Sequence, residues 1–136
     1  MKSYFVFLFL CITLSEPAFS QTGFLKKANV FYLPFDIETP NQIDHEAIKK
    51  MGNSIIFSIL DSITLDSINS EIKKLVPTTI KMKDFDLRIY AMFVYKNTVG
   101  DIRVHSSKKY ILFKSKMYLA SERLINLLLK TCILSK

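Results

Sequence analysis

The sequence predicts an α+β domain: an antiparallel meander sheet of about four or five strands packed against two or three helices, with an apolar C-terminal helix across the sheet. Three observations lead there. Strand-forming runs and helical stripes are mixed along the chain in the order β-α-β-α-β-β-β-α. The second half holds three strand-like runs joined by short polar turns, and such turns connect antiparallel neighbours. The last segment, from Glu122 to about Leu134, is apolar on all but a narrow side.

A leader precedes the domain. Lys2 supplies a minimal basic start, Tyr4 to Leu14 form an apolar run, and Ser15-Glu16-Pro17 break it. Ala18 and Ser20 place small side chains at the −3 and −1 positions before Gln21, which is what a signal peptidase admits. As a helix the run would reach roughly 16 Å, well short of the ~30 Å of a bilayer core. The expectation is a signal peptide, residues 1–20, cleaved near Ser20/Gln21. It leaves a single domain of residues 21–136, periplasmic or secreted, with no membrane span. Cleavage would remove Cys11, so no internal disulfide could form. Cys132 lies in the apolar run Leu127 to Leu134 and is expected to be buried as a small hydrophobe.

The elements follow in order. Ala28 to Phe35 are rich in strand formers, with Pro34 closing the strand or marking an edge. Phe35 to Pro40 read as a loop. A short helix follows, with two competing starts: the capping box Thr39-Pro40-Asn41-Gln42, or Asp44 as N-cap with Ile43 and Ile48 as a hydrophobic staple. The second is preferred, because it lines up Ala47, Ile48 and Met51 and lets Gly52 end the helix in the left-handed conformation. Ile55 to Leu60 favour a strand over a helix by their β-branched content and short span. Thr64 is the expected cap of a second helix, whose stripe Leu65, Ile68, Ile72 and Leu75 faces a core, and Pro77 stops it.

Asp86 to Tyr95 is the strongest strand. Leu87, Ile89, Ala91, Phe93 and Tyr95 would point one way and Arg88, Tyr90, Met92 and Val94 the other, so the strand is central and covered on both faces. Asn97 to Gly100 are expected to turn, with Gly100 supplying a positive φ. Asp101 to Ser107 alternate as a return strand, with His105 and Arg103 facing out. Tyr110 to Phe113 begin another strand, and Lys114-Ser115-Lys116 bulge or turn before Met117 to Leu119. Ser121 caps the last helix.

Charge is unevenly spread. Of the overall +7, residues 21–72 carry four Lys against seven Asp and Glu, while residues 73–136 carry fourteen Lys and Arg against four acids. A basic second half suits an anionic partner. Outside the cell, nucleic acid is not the expected one.

Catalytic signatures are sparse. His45-Glu46 resemble the start of a zinc-protease helix, but Lys49 stands where the second His would be. Asp36 with Glu38, and Asp84 with Asp86, alternate as acids could in a glycosidase, although solvated turn acids are the simpler reading. There is no nucleophile elbow, no calcium loop and, with three glycines in all, no phosphate cradle. The sequence therefore points to no catalytic residue, metal ligand or cofactor. Phe35-Asp36-Ile37-Glu38, two acids and two large apolar residues in a loop, are the candidate partner-binding segment.

The C-terminal strand-turn-strand-helix, Leu87 to Leu134, resembles in outline the C-terminal domain of TonB-like proteins, without their Tyr/Pro signatures or proline linker, and no function follows from it. In general look the chain is similar to short exported bacterial proteins, which implies a compartment. The expectation is a non-enzymatic exported module that binds a protein or an anionic cell-envelope component. Its rivals are a small exported hydrolase using Asp36, Glu38 or Asp84, and an inhibitor- or immunity-type interaction protein.

Overall fold

A computed structural model describes residues 24–134. The expected leader and cleavage site lie outside the described residues. Nine elements follow one another: β1 (Leu25–Tyr32), α1 (His45–Lys50), β2 (Ile55–Ile59), α2 (Ser62–Lys73), β3 (Leu87–Tyr95), β4 (Val99–His105), β5 (Tyr110–Phe113), β6 (Lys116–Leu119) and α3 (Glu122–Leu134). The strands form one antiparallel sheet in the order β2-β1-β3-β4-β5-β6. The α+β architecture and the C-terminal helix are as the sequence predicts, and the sheet has six strands rather than four or five. The additional strand arises at Lys114 and Ser115, which both take positive φ (48° and 61°) and reverse the chain tightly between β5 and β6. β3 to β6 form the meander. β1 lies between β2 and β3, so the first two strands complete the same sheet.

Each face of the sheet has its own core. On one side Ala28, Val30, Ile89, Ala91, Phe93, Ile102, Val104 and Ile111 are buried beneath Leu65, Ile68 and Ile72 of α2 and Leu124 and Leu128 of α3. The two helices are tied at one end by Glu71, whose carboxylate meets Lys74 (3.2 Å), Arg123 (3.5 Å) and the Ser121 hydroxyl (3.3 Å). Lys130 donates to Thr64 Oγ1 (3.3 Å) farther along. Ser121 caps α3 by accepting the Leu124 N–H (3.2 Å). On the other side a smaller core of Leu33, Ile43, Ile48, Leu87 and Tyr90 lies under α1. Ile43 and Ile48 meet there as the staple requires, and Asp44 accepts the Glu46 and Ala47 N–H groups (3.0 and 2.7 Å).

Several local expectations are corrected. β1 begins at Leu25, because Leu25 already pairs with Tyr95. Asp61, not Thr64, caps α2: its carboxylate accepts the Thr64 N–H (3.1 Å), and Thr64 sits inside the first turn. Leu75 is buried but lies past the helix end. No glycine among the described residues has positive φ. α1 ends on extended Met51, and Gly100 is a strand residue paired with Phe93. β2 is an edge strand, with Ile55 and Ile56 open to solvent, Ile59 buried, and Leu60 exposed just past its end. Cys132 is half-buried, lining a crevice with Tyr32, Ile55 and Leu129. The alternation of β3 breaks at its start: a bulge between Leu87 and Ile89 sends Leu87 into the smaller core, opposite to Ile89. That bulge positions the candidate site.

Candidate functional site

The connection from β1 to α1 is stitched at both ends to the start of β3. Leu33 N–H donates to Arg88 O (2.9 Å) and Leu87 N–H to Ile43 O (3.0 Å). Ile43 N–H donates to Asp86 Oδ1 (3.0 Å). Between these anchors the chain turns at Pro34, whose carbonyl accepts the Ile37 N–H (3.2 Å). The β4–β5 turn is tied to the same place, as Ser106 N–H donates to Asp86 O (2.8 Å). Asp86 thus holds two loops, one through its side chain and one through its main chain.

Arg88 completes the arrangement. The bulge buries it to 5% exposure, and a charge at that depth needs partners. Its Nη2 donates to Ile37 O (3.2 Å) and Thr39 Oγ1 (3.4 Å) and pairs with Asp86 Oδ2 (3.3 Å). Nη1 reaches Asp86 Oδ1 (3.4 Å) and Leu87 O (3.5 Å). Nε has no hydrogen-bond partner among the described residues. Each contact is longer than a strong charge-assisted bond, so the guanidinium secures the loop through several modest interactions.

A groove of about 770 Å³ opens above this pair, lined by Phe35 to Gln42 on one side and by Asp86, Arg88, Ser106 and Ser107 on the other. All four candidate loop residues border it, in two different ways. Phe35 and Ile37 are half-buried. Phe35 packs at the edge of the larger core, under Lys108 Nζ at 4.6 Å from its ring centre, and Ile37 packs against the smaller core. Asp36 and Glu38, which alternate with them, are exposed. The alternation therefore uses the apolar pair as anchors and presents the acids.

His105 braces the far wall. Its Nδ1 accepts the Ser107 N–H (3.1 Å) and lies 2.8 Å from Ser107 Oγ, which places the proton of the neutral ring on Nε2. The Phe85 ring meets it edge-on at 5.1 Å. Burial lowers its pKa below the ordinary histidine value. His105 is thus a partly buried turn-holding residue, not one facing freely into solvent.

The other acids do not gather with Asp36 and Glu38. Asp84 borders a separate hollow with Lys83, Phe85 and His45. Asp86 reaches the groove but is engaged by Ile43 and Arg88. Asp44 serves as a helix cap, and the Ala47 N–H it accepts holds its carboxyl below the usual range. His45 Nε2 lies 3.4 Å from Glu46, with its ring against Tyr90. Among the described residues no group of three His, Cys, Asp or Glu could hold a metal ion.

Sequence reasoning missed Asp86, Arg88, Ser106 and Ser107 as groove residues. A signal was present in Asp86-Leu87-Arg88: an arginine within an otherwise apolar central strand must find an acid, and one stands two positions away. Among the described residues no helix is long and apolar enough to cross a membrane. Set against family models, curated proteins and solved structures, the chain matches none of them.

Proposed function

We propose that the chain is a non-enzymatic interaction module that works after export and seats a protein partner in the groove at Phe35 to Gln42. The observation that supports this most is the construction of the loop. Its ends are hydrogen-bonded to β3 and its apolar residues are anchored in two cores, while a buried arginine holds its middle. A loop held this firmly loses little entropy when a partner binds. What it offers is acceptor-rich: the carboxylates of Asp36 and Glu38, the amides of Asn41 and Gln42, and the hydroxyl of Ser106. Because Asp86 already neutralises Arg88, the net character of the groove is acidic. It suits a polypeptide segment bearing Lys, Arg or amide donors.

The test is affinity retention from the medium or periplasm, with the wild-type chain and an Asp36→Lys/Glu38→Lys variant. A saturable protein partner held by the wild type and lost with the double variant is expected. A chain that retains nothing at any ionic strength, or the same proteins with and without the substitutions, contradicts the proposal.

A further inference from the structure

At the opposite end of the sheet, roughly 25 Å away along β1, the surface changes character. Leu25 pairs with Tyr95, so the start of β1 lies beside the β3–β4 turn. This brings Lys26 and Lys27 next to Lys96. Lys27, Val94 and Val99 then stand in one row across β1, β3 and β4 on the same face. Lys114 and Lys116, at the β5–β6 turn, continue the basic surface a few residues higher.

Two features set this end apart from scattered surface lysine. Large apolar side chains are exposed among the charges: Phe24 at 84%, immediately before β1, and Val99 at 64%. Lys26, Lys27, Lys96 and Lys116 make no ion pair among the described residues. Asp101, two residues along β4 from Val99, is already paired with Arg103 (3.1 Å).

From this we infer that the Phe24–Lys27 and Lys96–Val99 end of the sheet docks on an anionic lipid surface. Lysines there meet the negative headgroups, and Phe24 and Val99 enter the headgroup–acyl boundary. A soluble polyanion would satisfy the lysines and leave the apolar side chains in water, which is why a bilayer is favoured. The groove, at the other end of β1, then faces away from the membrane and stays open. Lipid docking does not depend on the groove having a partner.

Cosedimentation with vesicles tests this, using the chain as recovered after export. Vesicles of phosphatidylglycerol mixed with phosphatidylcholine should bind it, and those of phosphatidylcholine alone should not. Binding should weaken as salt rises, since the Debye length falls to about 8 Å at physiological ionic strength. A Lys26→Gln/Lys27→Gln/Lys96→Gln variant should lose roughly 100-fold in partitioning, about fivefold per lysine. Phe24→Ser should also weaken binding, with its charge unchanged. A Lys50→Gln/Lys73→Gln/Lys109→Gln variant, with the same net charge as the first, should bind like wild type to within about twofold. Equal loss in both triple variants would reduce the effect to net charge and overturn the inference. So would binding to dextran sulfate but not to anionic vesicles, or no vesicle binding at low salt. All these lysines are exposed or half-exposed, and an unchanged thermal transition would confirm that the variants fold.

Discussion

Replacing Arg88 by methionine probes the device that holds the groove. Methionine keeps most of the buried stem, so no large cavity opens and the change falls on the guanidinium. Its bonds to Ile37 O and Thr39 Oγ1, at 3.2 and 3.4 Å, are long for a charged donor, so each contributes about 1 kcal/mol rather than the upper end of the range. Asp86 loses its cation but keeps the Ile43 N–H, a further loss of about 1 kcal/mol. In the opposite direction, removing the partnerless Nε relieves about 1 kcal/mol of buried, unsatisfied donor. The net expectation is a destabilisation of about 2 kcal/mol, or a fall in Tm of roughly 6–12 °C for a domain of this size. Urea denaturation with an unchanged m-value measures it, and hydrogen exchange at Ile37 reports the loop directly. Arg88→Lys, which retains charge but not the fork, should fall between the two. If Arg88→Met is as stable as wild type and the Ile37 amide exchanges no faster, the guanidinium does not hold this loop.

Three further outcomes follow from the packing and electrostatics. Below pH about 6.5 the unfolded chain takes up a proton at position 105 that the folded chain resists, because burial lowers the folded pKa of His105. The stability His105 contributes is thus complete above that pH and declines as pH falls toward the folded value. NMR titration of the ring should show the low pKa, and His105→Gln should flatten this part of the stability profile. On α2, Ile68→Ala should destabilise by about 2–5 kcal/mol and Ile63→Ala by less than about 0.5 kcal/mol in chemical denaturation, since the first side chain is fully buried and the second is 76% exposed. At the β5–β6 turn, Lys114→Asn with Ser115→Gly should stabilise by about 1–2 kcal/mol in the same assay, because both residues occupy positive φ.

Much of the fold was legible because its elements obey simple periods. The stripe of α2, the apolar content of β3 beyond Arg88 and the cap of α3 at Ser121 each carried their own signal. What escaped was decided by neighbours. Asp61 displaced Thr64 as the cap of α2 because the helix begins as soon as β2 ends, and both residues offer an oxygen. Leu87 changed sides because a bulge shifts alternation by one residue, and nothing in the composition of β3 announces it. The candidate segment at Phe35 to Glu38 stood out by its mixture of acids and large apolar groups. Its supports come from far away in sequence, Asp86 and Arg88 at the start of β3 and Ser106 in the β4–β5 turn, so only the pairing of β3 with β1 and β4 brings them together. Of Asp36, Glu38 and Asp84, the first two share the groove and Asp84 lies outside it, a separation that local spacing does not encode.

The most direct measurement is chemical-shift mapping of the isotope-labelled chain, titrated with the protein it retains from the medium or periplasm. Perturbations should concentrate at Asp36, Glu38 and Thr39 to Gln42, extend to Ser106 and Ser107, and leave the exposed edge at Ile55 to Ile59 unchanged. Shifts confined to that edge or to α3, with the groove silent, would contradict the proposed binding site.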